Sequence, residues 1–384
     1  MKANSSPFDF IIIGGGLSGL QLAKALLDEG FLEECSLAIF ESRSDQIQND
    51  KTWSFWEKGT GKWDKIVSHQ WNKACFVDEI NHAKDFDLAP YVYKTIQSKD
   101  FYQHLIHELQ ACKNFHWIND QVDGLTLGSE ILVKTTNNHS YLGKRVFDSR
   151  PPQNLEDAKY PMVWQHFKGY VVESDKALFD EEQIRMMDFS LTDGVSCSFT
   201  YVLPYSKTKA LVEFTYFSKD IVDEKVYDDY IKKYLNHIGC SHYEVKETEM
   251  GKIPMSSYPF HKHNTENYLK IGTAGGWVKA SSGYSFKNTE HYIQKVIGLL
   301  KENRSFKNLK TSSKYQWYDE LFLSVLAHEN HKGAKLFGQM YGQNSIQEIF
   351  AFLDEQSALF QELKIISSFE KAPFLRALKR KYLG

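Results

Sequence analysis

Apolar and polar positions change period along the chain, and each period predicts a different element. Phe8 to Ile13 reads as a buried strand, and Leu20, Ala23, Leu26 and Leu27 recur at helical spacing between Leu17 and Glu29. Gly30 suits the end of that helix, and Ser36 to Phe40 is a second short strand closing on Glu41. Strand, helix and strand in this order predict a right-handed βαβ unit. Lys51 to about Lys94 is tryptophan-rich and irregular, and is expected to form strands and loops inserted beside that unit. Lys99 to Cys112 is amphipathic and helical, followed by a strand at Phe115 to Ile118. Glu130 to Thr135 and Tyr141 to Phe147 alternate as antiparallel strands that close at Asp148 to Pro152. Gln165 to Val172, Ser196 to Leu203 and Ala210 to Phe217 predict a second, sheet-based domain. Asp223 to His237, His291 to Glu302 and nearly everything from Trp317 to Tyr382 predict helices.

The turn between the first strand and helix carries chemistry. Gly14, Gly16 and Gly19 have GxGxxG spacing, directly after the strand and before the helix. The first glycine permits the tight turn, the second lets a pyrophosphate approach the backbone, and the third allows close helix-to-strand packing. The helix start offers free N–H groups and partial positive charge to phosphates. Glu41, 22 residues after Gly19, is placed for ribose hydroxyls and disfavours a 2′-phosphate, which leaves NAD or FAD. A later segment, NYLKIGTAGGWVKASSGYSF, reads as strand, glycine-rich loop and a helix beginning near Tyr284. Such a helix start would aim its positive end at a flavin ring, which favours FAD.

Composition narrows the remainder. With 384 residues and a formal net charge of -3, the chain is an ordinary globular protein of two or three packed units with no basic excess for nucleic acid. Aromatic residues make up 14%, enough to line an apolar pocket as well as fill a core. Cys35, Cys75, Cys112, Cys197 and Cys240 form no CxxC pair and read as reduced thiols, in keeping with a cytoplasmic chain. The polar start Met1 to Pro7 offers no signal peptide, and no apolar run approaches the roughly 20 residues of a membrane span. His261 with His263, and His328 with His331, miss metal-ligand spacing, so no metal is expected. Phe374 to Leu383 combines apolar and basic residues, which suits either an anionic membrane surface or a packed surface helix.

Beyond the two glycine loops, the chain carries KTWSFW from Lys51, VFDSRPP from Val146, QHFKGYVVE from Gln165, RMMDF from Arg185, YVLPYS from Tyr201, LVEFTYFS from Leu211, GKIPM from Gly251 and GGWVKASSGYSF from Gly275. In that order they resemble the lycopene cyclase family, over almost the whole chain. The resemblance implies a bacterial-type lycopene β-cyclase: closure of the linear ψ-ends of lycopene into β-ionone rings, through γ-carotene to β-carotene, with no net redox change. It also implies FAD, active when reduced with NAD(P)H as reductant, and peripheral contact with the membrane that holds the carotene. An FAD-dependent monooxygenase, a prenyl-chain reductase and a non-catalytic carotenoid carrier are the rival readings.

The fold class expected is α/β: a Rossmann-type FAD-binding fold over 1–160 and 261–310, a sheet-based substrate domain over 161–260 and a helical C-terminal region over 311–384. Ring closure needs a proton donated to an alkene, a stabilised carbocation and removal of another proton. Glu213 matches the glutamate that the family is understood to require, and an apolar pocket would keep it protonated near neutral pH. Asp188 is the second carboxylate, a base, an orienting group or a loop cap. Trp53, Phe55, Trp56, Tyr201, Tyr216, Phe217 and Trp277 are candidates to face the ring cation. Cofactor contacts are expected from Gly14, Gly16, Gly19, Glu41, Arg150, Thr273, Gly275, Gly276, Lys279 and Gly283. Thr273 stands where related flavoproteins carry an aspartate.

Overall fold

The computed structural model describes residues 6–42, 51–152, 159–309 and 313–383. The polar start is therefore largely outside the described residues. Phe8–Ile13, Leu37–Phe40 and Phe115–Ile118 are parallel strands, with the helix Leu17–Asp28 crossing between the first two. Ser140–Asp148 adds parallel to Phe8–Ile13 on its other side, and Tyr268–Lys270 pairs with the end of that strand. A segment more than a hundred residues downstream thus returns to complete the parallel sheet. Val122–Thr126 and Ile131–Thr135 extend it as an antiparallel meander.

Both faces of this sheet are covered, which is why its strands read as unbroken apolar runs. Ile12, Ile39, Phe147 and Leu269 are fully buried toward the helices Leu17–Asp28, Ser98–Gln110 and Phe286–Lys301. Ile11, Ala38, Val133 and Val146 fill the opposite face.

The second sheet has seven strands, in the order Tyr243–Ser256, Met162–Ser174, Lys209–Ser218, Cys197–Pro204, Gln183–Asp188, Lys73–Val77 and Ala83–Asp87. Its last two strands come from the tryptophan-rich segment, because Lys73–Val77 pairs in parallel with Gln183–Asp188. From that segment only Thr52–Lys58 and His69–Trp71, both paired with Tyr91–Gln97, form the smaller sheet between the two halves. The helix Glu224–His237 packs on one face of the large sheet. The C-terminal helices Ser313–His328 and Gly333–Gln343 cover the other. Ile346–Leu353, Leu359–Ser368 and Lys371–Leu383 complete that layer. No helix among the described residues is long and apolar enough to cross a membrane.

Candidate active site

Three glycine turns show why their side chains had to be absent. A Cβ on Gly19 would lie 2.0 Å from the carbonyl oxygen of Gly14, so only glycine lets the first helix sit this close to its strand. Gly14 has φ +101°, and a Cβ there would meet Ser149 Oγ at 2.1 Å. Gly272, at φ +61°, bears in the same way on Ser18 Oγ at 2.5 Å. Residues 14–19, the DSR segment at 148–150 and the return loop at 272–276 therefore converge on one helix start. Gly16 is the exception: nothing lies within 4 Å of its Cβ position, so the turn is open where a pyrophosphate would approach. Glu41 Oε2 accepts a hydrogen bond from the Gly15 amide at 2.9 Å, which fixes the carboxylate beside this opening.

The charged candidates at the cradle already have partners. Arg150 donates from Nε and Nη2 to Asp148, at 3.0 Å each, and from Nη1 to the Val122 carbonyl at 2.9 Å. Asp148 is fully buried; Arg150 and Lys270 hold its carboxyl below the usual range despite that burial. Lys279 is buried between Asp319 at 3.0 Å and Glu355 at 2.9 Å. Thr273 is exposed on the return loop. That loop forms one 3-10 turn over Gly272–Gly275 and ends on Gly276 at φ +72°. The following helix starts at Phe286, two residues beyond the expected position, because Gly283 at φ +75° and Ser285 are not helical. Its first turn has no side-chain cap.

Beside this loop lies a cavity of about 410 Å³. Its floor is the large sheet, where strand alternation sets the pattern in rows. Ile253, Gln165 and Phe217 form one row, Gly251, Phe167, Thr215 and Phe199 the next, and Glu249, Gly169, Glu213 and Tyr201 the third. Its roof is helical, with Leu321, Phe337, Met340 and Phe374. Its wall is the Ser281 to Phe286 loop, so the positive end of the last helix of the nucleotide fold faces it. Gln165 Oε1, Ser281 Oγ and Ser282 Oγ are buried with no hydrogen-bond partner among the described residues. Orphaned polar atoms at this junction, the opening over Gly16 and the three converging loops fit a dinucleotide whose flavin end reaches the cavity. Among the described residues no group of three or more His, Cys, Asp or Glu is disposed to hold a metal.

Two buried carboxyls line this cavity: Asp319, paired with Lys279, and Glu213, which lies on the apolar sheet floor with no cationic partner beside it among the described residues. Burial pushes Glu213 up to about 8, with Glu249 adding negative charge nearby. Thr215 Oγ1 donates to its Oε1 at 2.6 Å and acts in the opposite sense. Next to it Tyr201 and Tyr93 share a hydrogen bond of 2.7 Å, and Tyr284 approaches Tyr93 at 3.4 Å. Trp53 and Phe217 also line the cavity. Trp56 and Phe55 instead line a neighbouring cavity of about 390 Å³.

Three further candidates lie outside the cavity. Asp188 is paired with Thr200 and Tyr216 with Ser198, positions of the sheet face opposite Glu213. Asp188 there binds Arg185 at 3.0 Å and Tyr234 at 2.9 Å, while Tyr216 stacks on His166. Trp277 is fully buried and stacked on Tyr292 in the nucleotide-domain core. Tyr93, Tyr284 and the helical roof were missed by sequence reasoning. The strand alternation around Tyr91 to Gln97 was the signal available for Tyr93, whereas nothing local in the C-terminal helices marks which face meets the sheet.

Comparisons with known proteins agree with this architecture. The family model described as lycopene cyclase protein matches residues 9–379. No curated protein matches the sequence significantly. A geranylgeranyl bacteriochlorophyll reductase-like protein from Thermoplasma acidophilum is similar in structure at 14% identity, covering 98% of this chain and 97% of that one with a TM-score of 0.60. The flavin-dependent brominase Bmp2 superposes at 14% identity over 98% and 99%, TM-score 0.57. A variant of the halogenase PltM in complex with FAD does so at 11% identity over 97% and 86%, TM-score 0.58. At these identities the likeness speaks for the fold: a mixed α/β fold shared with flavin enzymes.

Proposed function

The chain belongs to the lycopene cyclase family, and from that premise we propose that it is an FAD-dependent isomerase that closes the ψ-ends of lycopene into β-ionone rings, through γ-carotene to β-carotene. The observation that carries this reading is geometric: Glu213 is buried in an apolar aromatic cavity beside the Ser281 to Phe286 loop, a setting whose burial pushes its carboxyl up to about 8. A carboxyl in its acid form at neutral pH can protonate an alkene, which a solvated carboxylate cannot do. Thr215 orients it, and Tyr201, Trp53 and Phe217 offer ring faces to a carbocation. FAD would be held by the Gly14 to Gly19 turn, Glu41 and the Gly272 to Gly276 loop; when reduced, it supplies negative charge beside the cation. NAD(P)H is the reductant that this role calls for.

The cavity reaches the surface where Ile366 and Leu375 line it, both exposed. Leu359, Phe360, Leu363 and Leu383 are also exposed on the last two helices, which carry Lys371 and Lys379 as well. Peripheral docking of this face on a lipid surface would let an apolar polyene enter without crossing water. The proposal is tested by Glu213→Gln: FAD remains bound while ring closure falls about 10²–10⁴-fold. Full activity with FAD bound would remove Glu213 from the mechanism.

A further inference from the structure

Glu213 has a neighbour that its own strand does not reveal. On the large sheet the two strands flanking Met162–Ser174 place Glu213 and Glu249 opposite the same residue, Gly169. Two strand spacings separate their Cα atoms by about 10 Å, and their side chains rise on the same face. Any side chain at the middle position would stand between them. Gly169 has none: a Cβ there would lie 3.3 Å from Glu213 Cβ and 3.4 Å from Glu249 Cγ. Leu211 Cδ1, at 3.0 Å from that position, and the stems of the two glutamates share the space that the glycine leaves. Their settings differ, because Glu213 is buried in the cavity whereas Glu249 sits half-exposed on Tyr243–Ser256, the edge strand of the sheet.

From this juxtaposition we infer that Glu249 is a positioning residue for Glu213, a solvent-side carboxylate that holds Glu213 in its acid form and passes it a proton from water between turnovers. The inference rests on the function proposed for Glu213. Side by side across Gly169, the two carboxyls feel each other's charge, so a charge on Glu249 opposes a charge on Glu213. When Glu213 has given its proton to the alkene, one proton enters from water through Glu249 and one leaves the ring carbon, so the isomerisation stays proton-neutral. Other titratable groups facing Glu213 are Tyr201 on the adjoining strand, Tyr205 beyond it, and Tyr284 on the loop. Tyr93 lies behind Tyr201, Glu247 is two residues from Glu249, and Asp319 and Lys371 line the same cavity from the helices. Among these, Glu249 is the carboxylate that shares Gly169 with Glu213.

The test is an infrared pH titration of the FAD-loaded full-length protein, following the protonated-carboxyl band that Glu213→Gln removes. Replacing Glu249 with Gln takes away the opposing charge, so the band should disappear at a pH about one unit lower than in the unsubstituted protein. Glu249→Lys should move it further, and Glu249→Asp should leave it near its original position. A merely structural role for Glu249 would lower stability without this graded order; an identical titration across the three variants would overturn the inference. Lycopene conversion is followed in parallel, and the pH at which ring closure fails should move with the band. If the band moves but no variant, nor the unsubstituted protein, converts lycopene, the carboxyl pair stands and the proposed reaction fails.

Discussion

Glu213 and Asp188 are buried carboxylates of one sheet in very different surroundings, and the function proposed above uses only the first. Glu213 projects into an apolar cavity where its neutral form is favoured, while Asp188 is held as part of an ion pair with Arg185 on the opposite face. The sign of the pH dependence follows from the raised pKa. Glu213 donates only while protonated, so kcat/KM should be level below neutrality and fall as pH rises through about 8. A pH-rate profile with a falling alkaline limb in that region checks this. Asp188→Asn should retain cyclisation and lose about 1–3 kcal/mol of stability, measured by denaturant unfolding, because Tyr234 and Arg185 keep a weaker acceptor. The two carboxylates could not be separated from sequence. Face is decided by strand register, and Asp188 sits in a strand whose pairing with Thr200 follows an irregularity that no local pattern announces.

The glycine turn and the C-terminal helix are the elements with the clearest consequences. Gly16→Ala should fold with an unchanged Tm, since its Cβ meets nothing, yet lose FAD affinity by obstructing the pyrophosphate. Gly19→Ala should lose both, with about 1–3 kcal/mol of overpacking strain against Gly14. Flavin absorbance of the purified proteins and thermal melts separate the two outcomes. Glu329 staples the helix Lys371–Leu383 through Arg376 and Arg380, whose hydrogen bonds lower its carboxyl to about 2. A depressed pKa gives stability that is present above about pH 4.5 and lost as pH falls toward 2. Glu329→Gln should therefore flatten the acid limb of the Tm profile. The βαβ unit was legible because period, glycine spacing and cap residues agree over forty contiguous residues. The strand Tyr243–Ser256 was not, because its mostly exposed positions carry little apolar alternation and its pairing partner lies some eighty residues away.

At the scale of the whole molecule, the proposed function runs from the glycine turns of the nucleotide fold, past Glu213 in the cavity, to the exposed apolar residues at its opening. Substituting Phe360, Leu363 and Leu375 together by Ser should weaken binding to anionic vesicles, since even about 1.4 kcal/mol per side chain is a tenfold change in partition. Vesicle co-sedimentation measures it, with unchanged flavin content as the control for folding. The glycine turns, the sheet and an apolar pocket around Glu213 were foreseeable from motifs; the roof of that pocket was not, because it comes from helices whose sequence position says nothing of where they land. The most direct test of the proposed function is anaerobic incubation of the purified protein with lycopene in liposomes, FAD and dithionite, followed by separation of the carotenoids. β-Carotene at the mass of lycopene, formed with reduced FAD and absent with oxidised FAD, is the result expected; lycopene returned unchanged by protein holding reduced FAD would contradict it.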